Sequence, residues 1–174
     1  AAAGQAKVLW QREPVAEMLA QPDLDPRLRA RLLLSRQVLA FAHDELLLPD
    51  NGSYTSYYDI GGPHIVWNVV AAPEFDLEPK TWCFPVAGCV AYRGYFAQQQ
   101  AERYAEQLAA SGYDIYLGGV AAYSTLGRFK DPILSSMVNY SDDHFAALLF
   151  HELAHQRLYI KDSTAFNEGF ASVV

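Results

Sequence analysis

The residues best suited to chemistry in this chain are His151, Glu152 and His155, which share a His-Glu-x-x-His spacing inside Leu149-Phe150-His151-Glu152-Leu153-Ala154-His155-Gln156. On a helix, residues four apart lie on one face, so the two imidazoles can aim at a single point. That arrangement suits one zinc ion. Glu152 follows His151 by one residue, about 100° around the helix, which sets its carboxylate beside the ion, where it can act as general base toward water. Buried helices also carry paired histidines for packing alone, but Leu149, Phe150, Leu153 and Ala154 around this pair are all uncharged. An exposed helix would show more charge there.

Catalytic zinc takes three protein ligands and keeps one position open, so a third donor has to reach the pair. His144 shares nearly the same helical face but sits seven residues from His151, about 10 Å along the axis at a rise of about 1.5 Å per residue. It reads as a polar residue of the first turn. Glu168 is the favoured donor: a helix doubling back after Lys161-Asp162-Ser163 lays Asn167-Glu168-Gly169 against the histidine turn, with Gly169 expected to allow close approach. Cys89 is the runner-up, since a thiolate after glycine completes the zinc site of some His-Glu-x-x-His hydrolases that remove formyl groups. Asp162 is third and reads more naturally as a turn cap.

The chemistry open to such a set is hydrolysis of a peptide or protein substrate, with Glu152 moving a proton from water to the leaving amine. Tyr123 or Tyr140 is a candidate oxyanion stabiliser, although each more often serves as core or surface in a chain with eleven tyrosines. An edge strand near residues 118 to 126 is a candidate peptide-binding element.

The elements that must position these residues follow from pattern. Residues 5–20 read as one helix, and Pro26 opens a second that runs from Arg27 to Leu48. From Tyr54 the signals become those of strands, with His64–Ala71 closed by Pro73 and a hairpin expected of Thr81–Phe84 and Cys89–Tyr95. Residues 97–110 are strong helix formers stopped by Gly112, and Tyr113–Leu117 is the next strand, leaving room for a parallel crossover in a small mixed sheet. Gly118-Gly119 is expected to break the chain before a segment, Val120–Leu126, that reads as edge strand or loop. Asp131-Pro132 is expected to open a short helix, and Ser141 to cap the long histidine helix, which runs to about Ile160. Thr164–Val174 is the last helix. The class is α+β, with a helical N-terminal part over 1–53 and the hydrolase domain over 54–174.

Composition bounds the function. A formal charge of −7 opposes phosphate backbones, which excludes nucleic acid as an expected partner. No run of eighteen apolar residues is present, so no segment spans a membrane as a helix. Arg27, Arg29, Arg31 and Arg36 suggest a membrane-surface helix, but their angles scatter around the axis and favour a solvated, salt-bridged face. Cys83 and Cys89 flank a turn-like segment and read evenly as a hairpin disulfide or as two small buried residues. Asn51 and Asn139 match glycosylation acceptors. The start at Ala1 is expected to reflect processing or trimming, and the apolar end at Phe170–Val174 is expected to associate with a partner or with missing chain.

Phe150-His151-Glu152-Leu153-Ala154-His155-Gln156-Arg157-Leu158-Tyr159, followed by Ala165-Phe166-Asn167-Glu168, resembles the bacterial family called putative aminopeptidases, zinc metallopeptidases of the gluzincin type. Val66–Pro73, Glu78–Pro85, Tyr92–Phe96 and Ala122–Gly127 resemble it as well, so the likeness spans the chain. The resemblance implies a zincin-like fold, with His151, His155 and Glu168 as ligands of one Zn2+ ion and Glu152 as catalytic base. It also implies a protein of the bacterial cell envelope or periplasm, lipid-anchored in its precursor, and a chain that continues past Val174. The Gly-x-Met-Glu-Asn stretch of well-studied zinc aminopeptidases is missing, so cleavage at a terminus or within a chain stays open. The reading from another class is a non-catalytic, metal-stabilised binding module or an inactive fragment.

Overall fold

Two apolar clusters organise the packing. They are seen in a computed structural model, which describes residues 2–84 and 88–174 of the chain. The architecture is α+β, with six α-helices and small sheets among the described residues.

The N-terminal segment differs from the single helix expected. Helix α1 (Ala2–Gln11) ends before the short strand β1 (Glu13–Pro14), and α2 (Val15–Ala20) follows directly. Pro14 explains the break, because proline has no N–H to continue a helix and clashes with the preceding turn. Helix α3 (Pro26–Asp44) starts as its sequence dictates: Pro26 occupies the first turn and the Asp25 side chain accepts the Leu28 N–H at 2.9 Å. Two of the four arginines act as clamps rather than as a surface face. Arg29 donates to the carbonyls of Leu19 and Gln21, while Arg31 donates to those of Val138 and Tyr140 and pairs with Asp142 at 3.1 Å.

Strand β2 (Ser56–Tyr58) joins β1 antiparallel and β8 (Ile133–Leu134) parallel. Asp131-Pro132 therefore leads into a strand and then a 3-10 turn over Ser135–Met137, in place of the expected short helix. The other three-stranded sheet is β3 (Val66–Pro73) between β6 (Arg93–Tyr95) and β7 (Tyr113–Val120), both antiparallel to it. Helix α4 (Gln98–Ala109) links β6 to β7, two strands that run in the same direction but are separated by β3. The expected crossover thus exists with a strand inserted between its ends. Gly118 and Gly119 pair with Asn68 and Trp67 inside β7 instead of breaking it. Gly112, at φ +84°, turns the chain out of α4.

Strands β4 (Trp82–Phe84) and β5 (Gly88–Val90) form the hairpin, joined by a Cys83–Cys89 disulfide between directly opposed residues. Residues 85–87 of the expected turn lie outside the described residues. Helix α5 (Asp142–Arg157) carries the histidines and ends three residues sooner than expected. Its residues Phe145, Leu149 and Leu153, spaced four apart, are completely buried in a core shared with Val8, Leu32, Val38 and Ala42 of α1 and α3. Helix α6 (Thr164–Val173) packs back on α5. The second core lies elsewhere, where Ala101, Ala105 and Leu108 of α4 meet Val69 and Ala71 of β3.

Candidate metal centre and its cavity

One turn of α5 separates His151 from His155, and their Nε2 atoms lie 3.1 Å apart. The carboxylate of Glu168 on α6 joins them, with Oε2 at 3.2 Å from His151 Nε2 and Oε1 at 3.6 Å from His155 Nε2. Donor atoms held about 2.0–2.1 Å from zinc at tetrahedral angles stand about 3.3 Å from one another. The three separations bracket that value, each histidine facing a different oxygen of Glu168, and two imidazole nitrogens with a carboxylate are a donor set that zinc takes. These residues fit a metal ion.

The approach of α6 is secured one residue before Glu168. Asn167 is buried and makes a two-point clamp on Ile160, accepting its N–H at 2.8 Å and donating to its carbonyl at 2.8 Å. Asp162 turns the chain at φ +62°, a conformation that asparagine and aspartate tolerate better than most residues. Gly169 has no part in the close approach expected of it, since a Cβ there would meet nothing within 4 Å.

The electrostatics favour neutral imidazole. Burial lowers the pKa of His155 and the neighbouring His151 adds to this, while the Glu168 charge opposes both. Neutral imidazole is the form that ligates. His155 Nδ1 is buried without a hydrogen-bond partner, so among the described residues nothing else fixes the tautomer. Glu152 is pushed up to about 7, first by burial and then by the charges of Asp131 and Glu168, with hydrogen bonding from Ser124 pulling the other way. A carboxylate at that value is poised for general base chemistry near neutrality, and a cation at the adjacent group would offset part of the rise.

Asp131 is itself buried and supports the wall beside Glu152. Its carboxylate accepts the Thr125 N–H at 2.9 Å and the Thr125 hydroxyl at 2.8 Å, and its carbonyl accepts the Tyr54 N–H at 2.6 Å. Burial raises its pKa against those hydrogen bonds. His151, Glu152, His155, Glu168 and Thr125 border a cavity of about 600 Å3 that also takes in Tyr92, Tyr123, Ser124 and Tyr159. That volume is in the range of small-molecule and peptide side-chain sites.

The profile of the family described as "Putative aminopeptidase" matches residues 1–174. The chain belongs to that family. The description names a peptidase. No curated protein and no solved structure gave a significant match.

The remaining candidates are accounted for individually. Cys89 is taken by its disulfide to Cys83 and offers no thiolate. The Asp162 carboxylate accepts the Cys89 N–H at 2.7 Å, tying the hairpin to the α5–α6 turn. His144 packs edge-on against Tyr140, ring centroids 4.5 Å apart, and is not part of the histidine–glutamate group. Tyr140 lines a separate hollow with Arg31 and Asp142. Tyr123 does reach the cavity, but its hydroxyl donates to Gln5 Oε1 at 2.7 Å, and burial raises its pKa. Sequence reasoning missed Asn68, Tyr92 and Ser124 as cavity residues and Asn167 as the clamp. The alternation of β3 was a usable signal for Asn68, since it puts a carboxamide in an otherwise apolar row; nothing comparable marks Tyr92.

Proposed function

We propose that the protein is a zinc-dependent peptidase of zincin-like architecture, in which His151, His155 and Glu168 hold the metal and Glu152 is the general base. One observation carries the reading: three donors from two helices converge at separations of 3.1, 3.2 and 3.6 Å, with a half-buried carboxylate next to them. A zinc ion held there would supply the Lewis acidity that polarises a carbonyl and acidifies water. The chain's own residues do the rest. Glu152 takes a proton from water on the cavity side and returns it to the leaving amine. Its raised pKa suits both halves of that transfer. Ser124 steadies the carboxylate, Asp131 holds the segment that carries Ser124 and Thr125, and the surrounding walls limit the access of bulk water.

The disulfide supports synthesis into an oxidising compartment, such as the bacterial periplasm or cell envelope. No helix among the described residues is long and apolar enough to cross a membrane.

The test pairs metal analysis with turnover of a quenched fluorescent peptide pool. The reading expects one zinc per chain and cleavage that disappears with a chelator and returns with zinc. Absence of bound zinc after reconstitution, or cleavage that survives Glu152→Gln, overturns it.

A further inference from the structure

The cavity extends from the histidine–glutamate group onto one face of the β6–β3–β7 sheet. Side chains alternate along β3: Trp67, Val69 and Ala71 go to the core under α4, whereas Val66 and Asn68 go to the cavity. Across the strands, Asn68 is paired with Gly94 of β6 and Val66 with Val120 of β7. These positions have properties that packing does not require. A Cβ on Gly94 would stand 3.0 Å from Val66 Cγ1 and 3.1 Å from Asn68 Oδ1, so the glycine keeps open the space in front of the carboxamide.

Asn68 Oδ1 is buried and accepts no hydrogen bond from the described residues. Gln5 lines the same cavity; its Nε2 is also buried and donates to none of the described residues, while its Oε1 accepts the Tyr123 hydroxyl. Buried polar atoms without partners are rare in folded proteins. Here one is an acceptor and one a donor, the pair that an extended peptide's N–H and C=O complement. The apolar part of the cavity lining includes Val66, Val90, Phe96 and Val120. No lysine or arginine lines the cavity among the described residues, and its only carboxylates are Glu152 and Glu168.

We propose that this end of the cavity is a subsite for an uncharged, apolar side chain of a peptide substrate. Asn68 Oδ1 accepts a backbone N–H of that peptide and Gln5 Nε2 donates to one of its carbonyls. The subsite rests on the peptidase reading and adds its selectivity. A charged side chain entering there would leave water with no counter-ion beyond the two glutamates already committed to the metal and the proton.

The test measures binding, so that it stays separate from turnover. Glu152→Gln protein, with and without added zinc, is titrated calorimetrically with capped pentapeptides of alanine whose central residue is Leu, Phe, Asp or Lys. The Leu and Phe peptides are expected to bind about tenfold or more tighter than the Asp and Lys peptides, the gain from burying one large apolar side chain. Asn68→Ala should weaken all four about tenfold and leave their ranking intact. Gly94→Val should abolish the preference by filling the space. Equal affinity for the four peptides, absence of binding by all of them, or a preference that survives Gly94→Val in protein with an unchanged circular dichroism spectrum overturns the subsite. Loss of zinc-dependent cleavage with the binding preference intact would instead strike at the peptidase reading.

Discussion

The two cores of this molecule are held by different physics. Under α4, Ala101, Ala105 and Leu108 meet Val69 and Ala71 with almost no polar group to accommodate, and burial of apolar surface suffices. Along α5 the same kind of stripe, Phe145, Leu149 and Leu153, stands beside His155, Glu152 and Asp131, all drawn out of water. Burial there raises two carboxylate pKa values and lowers an imidazole. A region assembled only for stability would not retain such groups. The contrast supports the proposal that the α4 lobe is scaffold and that the α5–α6 junction gives up stability for chemistry.

Substitutions can break or sharpen that contrast. The largest effect is expected of Glu152→Gln, which keeps the shape and removes the base. Peptide cleavage should fall by about 10²–10⁴-fold in kcat/KM with zinc content unchanged. A residual rate near wild type would return Glu152 to the scaffold.

Leu149→Ala should act on stability alone. The residue is fully buried in the α5 core, and a cavity there is expected to cost about 2–5 kcal/mol in urea unfolding. Leu108→Ala under α4 should fall in the same range or below, since Leu108 keeps a little exposure. The comparison would fail if either variant altered the zinc stoichiometry of folded protein.

Asn167→Ala is intermediate and informative, because it removes the partner of the Ile160 N–H and leaves the Ile160 C=O only the Ser163 N–H. It is expected to cost about 1–3 kcal/mol. Unlike Leu149→Ala, it should also weaken zinc binding, by loosening the turn that presents Glu168. A stability loss with unchanged zinc affinity would show that Glu168 is positioned some other way.

The smallest effect concerns pH and belongs to the α5 side, where the buried carboxylates lie. The Asp131 carboxyl has a folded-state pKa raised above its ordinary value of 3.8. Its contribution to stability is therefore fully present below that value and is lost as pH rises through the raised one. In metal-free protein Glu152 adds with the same sign between 4.5 and about 7. Asp131→Asn retains an acceptor for Thr125 and should flatten this decline when urea midpoints are compared across the acid range. An identical slope in the variant would mean that Asp131 titrates as it does in the unfolded chain.

Much of this was legible in the sequence, for reasons that also set the limit. Helix α4 announces itself through its run of Ala, Gln and Glu and the glycine that ends it, and the His-Glu-x-x-His turn through its spacing on a helix of uncharged neighbours. The place of Glu168 beside the imidazoles followed from a short turn between two helices. The insertion of β3 between β6 and β7 did not follow, because alternation gives a strand its faces and not its neighbours. Pro14 is a readable break, but the helical composition on both sides of it favours one continuous helix. Asp131 looked like a helix start beside Pro132, but its carboxylate is spent on Thr125, a contact that only the closed loop creates. The buried carboxamides of Asn68 and Gln5 needed the cavity to be seen at all.

The central claim is that one cation binds between α5 and α6 through His151, His155 and Glu168. X-ray absorption at the zinc edge of reconstituted protein, compared with Glu168→Ala, tests it most directly. The account predicts two imidazole nitrogens and carboxylate oxygen around the metal at about 2.0–2.2 Å, with the carboxylate signal lost in the variant. A spectrum without two imidazoles, or one that Glu168→Ala leaves unchanged, would contradict it.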